Sequence, residues 1–336
     1  MGRFGRFLFA ALAMLAIAAQ PAFAQDEPGV SEVENPNVFL ERPYLSPLSP
    51  FGKNVILEGQ AAAHLYVVNQ LTDPVWRREG GRKLAFPITI NIVVRIYDDY
   101  SSPVRTPSFM VRPLYGQFFT LRRRADSFRL MEFALGLEHH SDGQTGCTFL
   151  GTTYDPVSDD CVVTDPDLYA LRKANTLDGS FSTNFIPLHF GVRWGELDEN
   201  ALVRRQLSLE GKFEIHPQDF LKGGMSSDLA ATYGQLMTGV GVEVEKRRLN
   251  KGVVRVQLYE QARFGPDKDN ADWSGQLELA YMWYRIEMLG LFARVHWGND
   301  YYNIRFQDTT TFASVGLVWD VGRLDQFVPQ RRTRTP

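Results

Sequence analysis

The chain has 336 residues, a formal net charge of −3, a hydrophobic content of 44% and only two cysteines. This slightly acidic balance gives no basis for nucleic-acid binding. The sequence also contains no zinc-type cysteine cluster, no phosphate-cradling glycine loop and no dinucleotide fingerprint. Charge and simple sequence motifs therefore indicate no partner.

Residues 1–24 have the features of a secretory signal peptide. Arg3 and Arg6 precede an apolar run, residues 7–19, which leads to a small-residue cleavage pattern ending at Ala24. We expect the mature chain to begin near Gln25. The run is too short to span a bilayer, and no later stretch offers eighteen uncharged apolar residues. The prediction is an exported protein: periplasmic, secreted, or an outer-membrane barrel.

The rest of the chain divides into three parts by composition. Residues 25–52 are rich in proline and acidic residues, which predicts an irregular lead-in. Residues 53–322 form a succession of roughly twelve alternating segments such as "ITINIVVRI" and "RQLSLEGKFEI". Residues 323–336 form a C-terminal tail that runs on past the last predicted strand, whereas outer-membrane barrels commonly end on an aromatic residue.

The alternating segments predict an all-β fold, a transmembrane antiparallel β-barrel of about 12 strands. Their polar faces carry glutamate, lysine, arginine and glutamine, and tyrosine and tryptophan cluster near segment ends, as in "YMWYR". A secreted β-sandwich also alternates and is the competing fold. The lined-up charged faces favour the barrel, which also leaves no sheet edge exposed to lipid.

Cys147 and Cys161 flank the polar stretch "CTFLGTTYDPVSDDC". An even pair of cysteines in an exported chain predicts a disulfide. We expect it to staple this loop rather than to bind a metal.

The segment "MEFALGLEHHSDGQTG" suggests chemistry on the apolar face. By strand alternation its apolar residues share a face with His139 and Ser141, and Asn184 heads the apolar column of the next strand, "SFSTNFIPLHFGVRW". An imidazole can take the proton of a serine hydroxyl, and an amide can hold the ring in the required tautomer. If the apolar face meets lipid, the substrate is a lipid. The same alternation predicts inward positions for His140, His189, Glu132 and Glu210.

Over roughly residues 88–321 the sequence resembles the outer-membrane phospholipase A family. "EHHSDGQTG" is similar to the family's His-x-Ser-Asn-Gly segment, with His139 as the base and Ser141 as the nucleophile, and "SFSTNF" to the segment that supplies the orienting asparagine, here Asn184. "DDYSSPVRTPSF" and "GNDYYNIRF" resemble two further family motifs. The resemblance implies a twelve-strand barrel of the bacterial outer membrane. It also implies calcium-dependent hydrolysis of phospholipid acyl esters, enhanced by formation of a homodimer.

The resemblance also implies a Ca²⁺ site. Its ligands would be the carbonyl of Gln144, the hydroxyl of Ser180 and, across the dimer, Ser101 of the partner subunit. Such an ion polarises the ester carbonyl and stabilises the oxyanion. The chain departs from the family pattern in three places: Asp142 stands for an asparagine, Gln144 stands for an arginine, and the cysteine-bearing loop is longer.

The sequence therefore favours an outer-membrane phospholipase of the A1/A2 type, a carboxylic ester hydrolase acting on membrane phospholipids. One alternative is a lipid A deacylase, which also uses a lipid-facing His-x-Ser motif, but in a shorter barrel with an acidic orienting residue. The other is a barrel without enzymatic activity, either porin-like or degenerate. Twelve strands leave a lumen filled by side chains, which speaks against a general porin.

Overall fold

The computed structural model shows a protein that consists almost entirely of β-strands. It describes residues 41–48, 55–70, 81–97, 107–123, 126–142, 147, 152–158, 160–166, 180–197, 203–222, 224–248, 252–265, 272–283, 286–302, 306 and 309–319. The predicted signal peptide, most of the lead-in and the C-terminal tail lie outside these residues. Among the described residues there is no helix with the length and hydrophobicity that a membrane-spanning helix needs.

The elements follow one another in a simple up-and-down order. They are β1 (Tyr44–Leu48), β2 (Val55–Asn69), β3 (Arg82–Tyr97), β4 (Ser108–Arg123), β5 (Ser127–Gly136), β6 (Glu138–Ser141), β7 (Thr152–Asp155), β8 (Asp160–Val163), β9 (Ser182–Leu197), β10 (Val203–Ile215), α1 (Ser227–Tyr233), β11 (Leu236–Arg248), β12 (Gly252–Phe264), β13 (Asp272–Trp283), β14 (Ile286–Asn299) and β15 (Thr309–Trp319).

Across the described residues the wall is a closed antiparallel barrel of twelve strands. Each wall strand pairs with its neighbour along the chain, and β1 closes the ring by pairing with both β15 and β2. β5 and β6 form one wall strand, because their register with β4 and β9 is unchanged across Leu137. The predicted fold class is confirmed.

The start of the barrel differs from the sequence prediction. The irregular lead-in was expected to extend to residue 52, but β1 is already a wall strand, with Tyr44 opposite Val318 on one side and Gln60 on the other. This strand has only five residues, and Pro47 has no N–H to donate to a ladder. Its strand conformation is imposed by ring closure, a contact between distant parts of the chain.

The two faces of the wall differ sharply in chemistry. Apolar side chains stand exposed on the outside of every part of the ring, for example Leu65, Phe190, Val240 and Leu291. Ionised side chains are buried inside and pair with one another; Glu278 accepts from Arg255 at 3.2 Å and from Arg294 at 2.8 Å. An apolar exterior around a closed, hydrogen-bonded wall suits a lipid bilayer. The protein is accordingly a β-barrel of the bacterial outer membrane.

One end of the barrel is covered by a cap formed from its longer connections. The cap cluster consists of Phe181, Met225, Leu229, Ala230, Tyr233 and Phe306. These residues come from three separate connections, and Tyr233 packs against both Phe181 and Phe306 with ring centroids 5.1 and 4.9 Å apart. The cap therefore reaches across the mouth of the barrel.

The predicted disulfide is present. Cys147 and Cys161 are bonded, with Cα atoms 5.5 Å apart, beside a hairpin formed by β7 and β8. At the hairpin turn, backbone N–H groups of Val157 and Ser158 donate to Asp155, which lowers the pKa of that carboxyl. The bond staples a loop that lies outside the barrel wall.

Candidate functional site on the outer wall

The predicted catalytic residues lie on two adjacent wall strands. In the register of β6 against β9, His139 is directly opposite Asn184 and Ser141 is opposite Ser182. On the other side of β6, Ser141 is opposite Phe109 of β4. Strand pairing thus brings together three residues that are up to 45 positions apart along the chain.

The sidedness expected from alternation is confirmed for this strand. Leu135 and Leu137 are exposed on the outer face, whereas Glu138 and His140 are buried towards the lumen. His139 shares the outer face and is half-buried, as is Ser141. Because the outer face meets lipid, a serine and a histidine stand at the end of an apolar column on the membrane side.

A hydrogen bond links the histidine to the asparagine. His139 Nδ1 lies 2.7 Å from Asn184 Oδ1. On its other side, Asn184 Nδ2 donates to the carbonyl of Phe220 at 2.8 Å and is 3.5 Å from the carbonyl of Leu221. Because carbonyls only accept, the amide must present its oxygen to the imidazole. His139 then carries its proton on Nδ1, and Nε2 is free to act as a base.

The Ser141 hydroxyl lies two residues along the same face of the strand. Among the hydrogen bonds between described residues, we see none that joins His139 Nε2 to Ser141 Oγ. Such bonds are often long without substrate and shorten when it binds. The arrangement therefore presents the unprotonated Nε2 of His139 on the same strand face as the Ser141 hydroxyl.

Other histidines predicted to face inward do so. His140 is buried and lies 2.7 Å from the hydroxyl of Ser108, and His189 is also buried. A further group that the sequence did not suggest is Thr183, His216 and Glu214, joined at 3.0 and 3.2 Å. All three residues are at most 1% exposed, so this group is buried inside the barrel.

An ion pair supports the wall directly behind His139. Arg112 and Glu138 face each other across β4 and β6 and bond through two contacts of 2.5 and 2.9 Å. A third contact joins Arg112 to Glu41 at 2.5 Å. A two-point pair of this kind fixes the relative position of the strands as well as contributing energy. It holds β6 in place from the lumen side.

The lumen itself holds a cavity of about 370 Å³. Charged side chains line it, among them Arg42, Lys212 and Glu278. His139, Ser141 and Asn184 do not line it, because they face the opposite side of the wall. The lumen cavity and the candidate catalytic residues are therefore separate.

The predicted calcium ligands are only partly within the described residues. Ser101 and Gln144 lie outside them; Ser180 is described and half-buried. Asp142 is 1% exposed, and its carboxylate accepts from the backbone of Phe181 at 3.3 Å on the lumen side. Within the described part of the chain, no group of three or more His, Cys, Asp or Glu residues forms a metal site.

Several solved outer-membrane proteins are similar in fold. An active-site mutant of outer membrane phospholipase A from Escherichia coli matches with a TM-score of 0.48 and 12% identity, covering 87% of this chain and 95% of that chain. The outer membrane phospholipase dimer of Salmonella typhi with bound calcium matches with a TM-score of 0.45 and 10% identity, covering 83% and 91%. OmpT, an outer membrane protein of Vibrio cholerae, gives a TM-score of 0.30 at 8% identity, covering 83% and 94%.

No protein-family model matches the sequence, and no curated protein sequence matches it. The structural likenesses concern barrel architecture alone. At these identities they assign no activity to the chain.

Proposed function

We propose that this protein is an outer-membrane phospholipase that hydrolyses acyl esters of membrane phospholipids. The observation that carries the proposal is the 2.7 Å hydrogen bond between His139 Nδ1 and Asn184 Oδ1, on the lipid-facing wall beside Ser141. A histidine oriented in this way is the base that a serine nucleophile requires. A phospholipid beside the barrel would contact this outer face, where Leu135 and Leu137 are exposed next to His139 and Ser141.

The reaction is an acyl transfer in two halves. Ser141 Oγ attacks the ester carbonyl carbon while its proton moves to His139 Nε2. The tetrahedral intermediate expels the lysophospholipid oxygen, which takes that proton. Water then attacks the acyl-serine ester, His139 again accepts and returns the proton, and the fatty acid leaves.

We propose Ca²⁺ as the cofactor, held by Ser180, the Gln144 carbonyl and, in a homodimer, Ser101 of the partner subunit. Ser180 lies two residues before Ser182, which is opposite Ser141. Hydroxyl and carbonyl oxygens are ligands that a hard cation accepts. When bound there, the ion supplies positive charge to the developing oxyanion. The Asp142 carboxylate faces the lumen and is not part of this ligand set.

The two alternative functions that the sequence left open, a porin-like barrel and a lipid A deacylase, fit the geometry of the barrel and the site less well. A porin-like role requires an open lumen, whereas the cap cluster reaches across one mouth and buried ion pairs line the interior. A lipid A deacylase would be expected to orient its histidine with a carboxylate, whereas the partner of His139 is an amide. Both observations favour the phospholipase.

The test is fatty acid release from phospholipid in mixed detergent micelles by the purified, folded protein with calcium. We expect hydrolysis by the wild type and none by Ser141→Ala. The matched control is Ser127→Ala, at the other end of the same wall strand, where the hydroxyl bonds the exposed Asp126. Equal hydrolysis by Ser141→Ala and Ser127→Ala would refute the proposal.

A further inference from the structure

The segment Asp219–Leu221, between β10 and α1, covers Asn184 on the outside of the barrel. Alternation along β9 points Asn184 outward, like the exposed Phe190, yet Asn184 is only 6% exposed. The cover is the backbone of this segment, whose carbonyls at Phe220 and Leu221 face the amide. The segment therefore shields Asn184, a residue of the outer wall face, from water and lipid.

We infer that this segment is a positioning clamp for the catalytic base, acting through Asn184. The two carbonyl oxygens of the segment can only accept hydrogen bonds, so the Asn184 amide can bond to them only through its donor, Nδ2. A flipped amide would set Oδ1 against the Phe220 oxygen 2.8 Å away and present an N–H to the His139 nitrogen. The clamp therefore selects the amide orientation, and the amide selects the Nδ1–H tautomer of His139.

The clamp is held in a conformation that its residues do not adopt by preference. Asp219 and Leu221 have φ angles of 52° and 56°, in the left-handed region that is unfavourable for a leucine. Two backbone bonds hold the loop in shape: Asp219 N–H to the Met225 carbonyl, and Gly224 N–H to the Leu221 carbonyl, both 3.1 Å. Met225 is fully buried in the cap cluster. The cap thus anchors the loop that reaches the outer wall.

Gly224 provides a way to displace the clamp without touching the catalytic residues. A Cβ added there would lie 2.5 Å from the Phe220 nitrogen and 2.7 Å from the Phe220 oxygen, the atom that accepts from Asn184. Gly224→Ala must therefore shift that carbonyl. Gly59→Ala is the matched control, since its Cβ would meet its nearest atom at an ordinary 3.4 Å.

The kinetic test is a double-mutant cycle on ester hydrolysis, and it rests on the proposed function. We expect Gly224→Ala to lower kcat about tenfold with KM unchanged, since one orienting hydrogen bond is weakened. In the Asn184→Ala background the same change should have no effect, because the clamp acts only through the amide. Gly59→Ala should match the wild type. Independent, multiplying effects of Gly224→Ala and Asn184→Ala would overturn the inference.

A second variant changes the chemistry with almost no change in volume. Asn184→Asp keeps an acceptor for His139 but sets a carboxylate oxygen against the Phe220 carbonyl. We expect it to be no more active than Asn184→Ala. A rate equal to or above that of the wild type would contradict the clamp, because a histidine oriented without it works well with a carboxylate partner.

A measurement that needs no activity separates failure of the clamp from failure of the proposed function. Nitrogen NMR of the histidine rings in micelles, at a pH where His139 is neutral, reports its tautomer, and loss of the signal in His139→Ala assigns it. We expect the Nδ1–H form in the wild type and in Gly59→Ala, and a shift towards Nε2–H in Gly224→Ala. An unchanged tautomer in Gly224→Ala would overturn the clamp even if the protein hydrolyses phospholipid. The expected shift in a protein that does not hydrolyse phospholipid would support the clamp and refute only the function.

Discussion

Removal of the Asn184 side chain tests the role of the orienting amide most quantitatively. Asn184→Ala deletes the 2.7 Å bond to His139 and the 2.8 Å bond to the Phe220 carbonyl. Both lie in a site where the asparagine is 6% exposed, so water replaces them poorly. The proposed base, His139, and the proposed nucleophile, Ser141, remain, and the orientation of the imidazole ring is lost.

One hydrogen bond of this kind is worth roughly 1 to 3 kcal/mol when its partners are desolvated. That converts to a loss of about one to two decades in rate. The assay is initial-rate hydrolysis of a simple ester and of a phospholipid in detergent micelles, with folding checked by the gel mobility of unheated samples. An unchanged rate in a folded Asn184→Ala protein would refute the orienting role, and a loss as complete as that of Ser141→Ala would show that the amide does more than orient.

Three further predictions concern the two neighbouring histidines, the calcium ion and the disulfide. His139→Ala should be as inactive as Ser141→Ala, because a base and its nucleophile fail together. His140→Ala removes a lumen side chain bonded to Ser108 and should retain most activity. Equal loss of activity in the two histidine variants in the same assay would show that the site is misassigned. Chelation of calcium should suppress hydrolysis and added calcium should restore it, and full activity in excess chelator would rule out the proposed ligand set. Reduction of Cys147–Cys161 should loosen the β7–β8 hairpin and leave the barrel intact, since the bond lies outside the wall; a large fall in the temperature at which the folded band disappears from a gel would contradict this.

Alternation was sufficient to predict most of the wall, because lipid outside and ion pairs inside impose opposite chemistries on successive residues. It failed at β1, because five residues that include a proline are too few to show a recognisable alternation. The predicted count of twelve strands is correct only because β1 adds to the eleven wall strands found between Val55 and Trp319 in the described residues. Ring closure, which makes β1 a strand, joins the two ends of the barrel and leaves no local signal.

The proposed trio of His139, Ser141 and Asn184 could be named from the sequence because strand parity fixes which side chains share a face. The contacts that surround these three residues could not be predicted. The atoms that hold Asn184 are backbone carbonyls of Phe220 and Leu221, which any residue type would supply. The one trace in the sequence is Gly224, which resembles an ordinary turn glycine until its contact with Phe220 is known. The ion pair of Arg112 with Glu138 was equally hidden, since only the register shows that they are opposite.

Covalent labelling of Ser141 tests the central claim most directly. A long-chain alkyl sulfonyl fluoride in micelles places its sulfur where the ester carbonyl would lie; Ser141 Oγ bonds to sulfur, fluoride leaves, and His139 takes the proton. Peptide mass spectrometry should find one adduct, on Ser141, in the wild type, and none in His139→Ala. A protein that hydrolyses phospholipid but is labelled on another residue, or that is labelled equally without His139, would contradict the account.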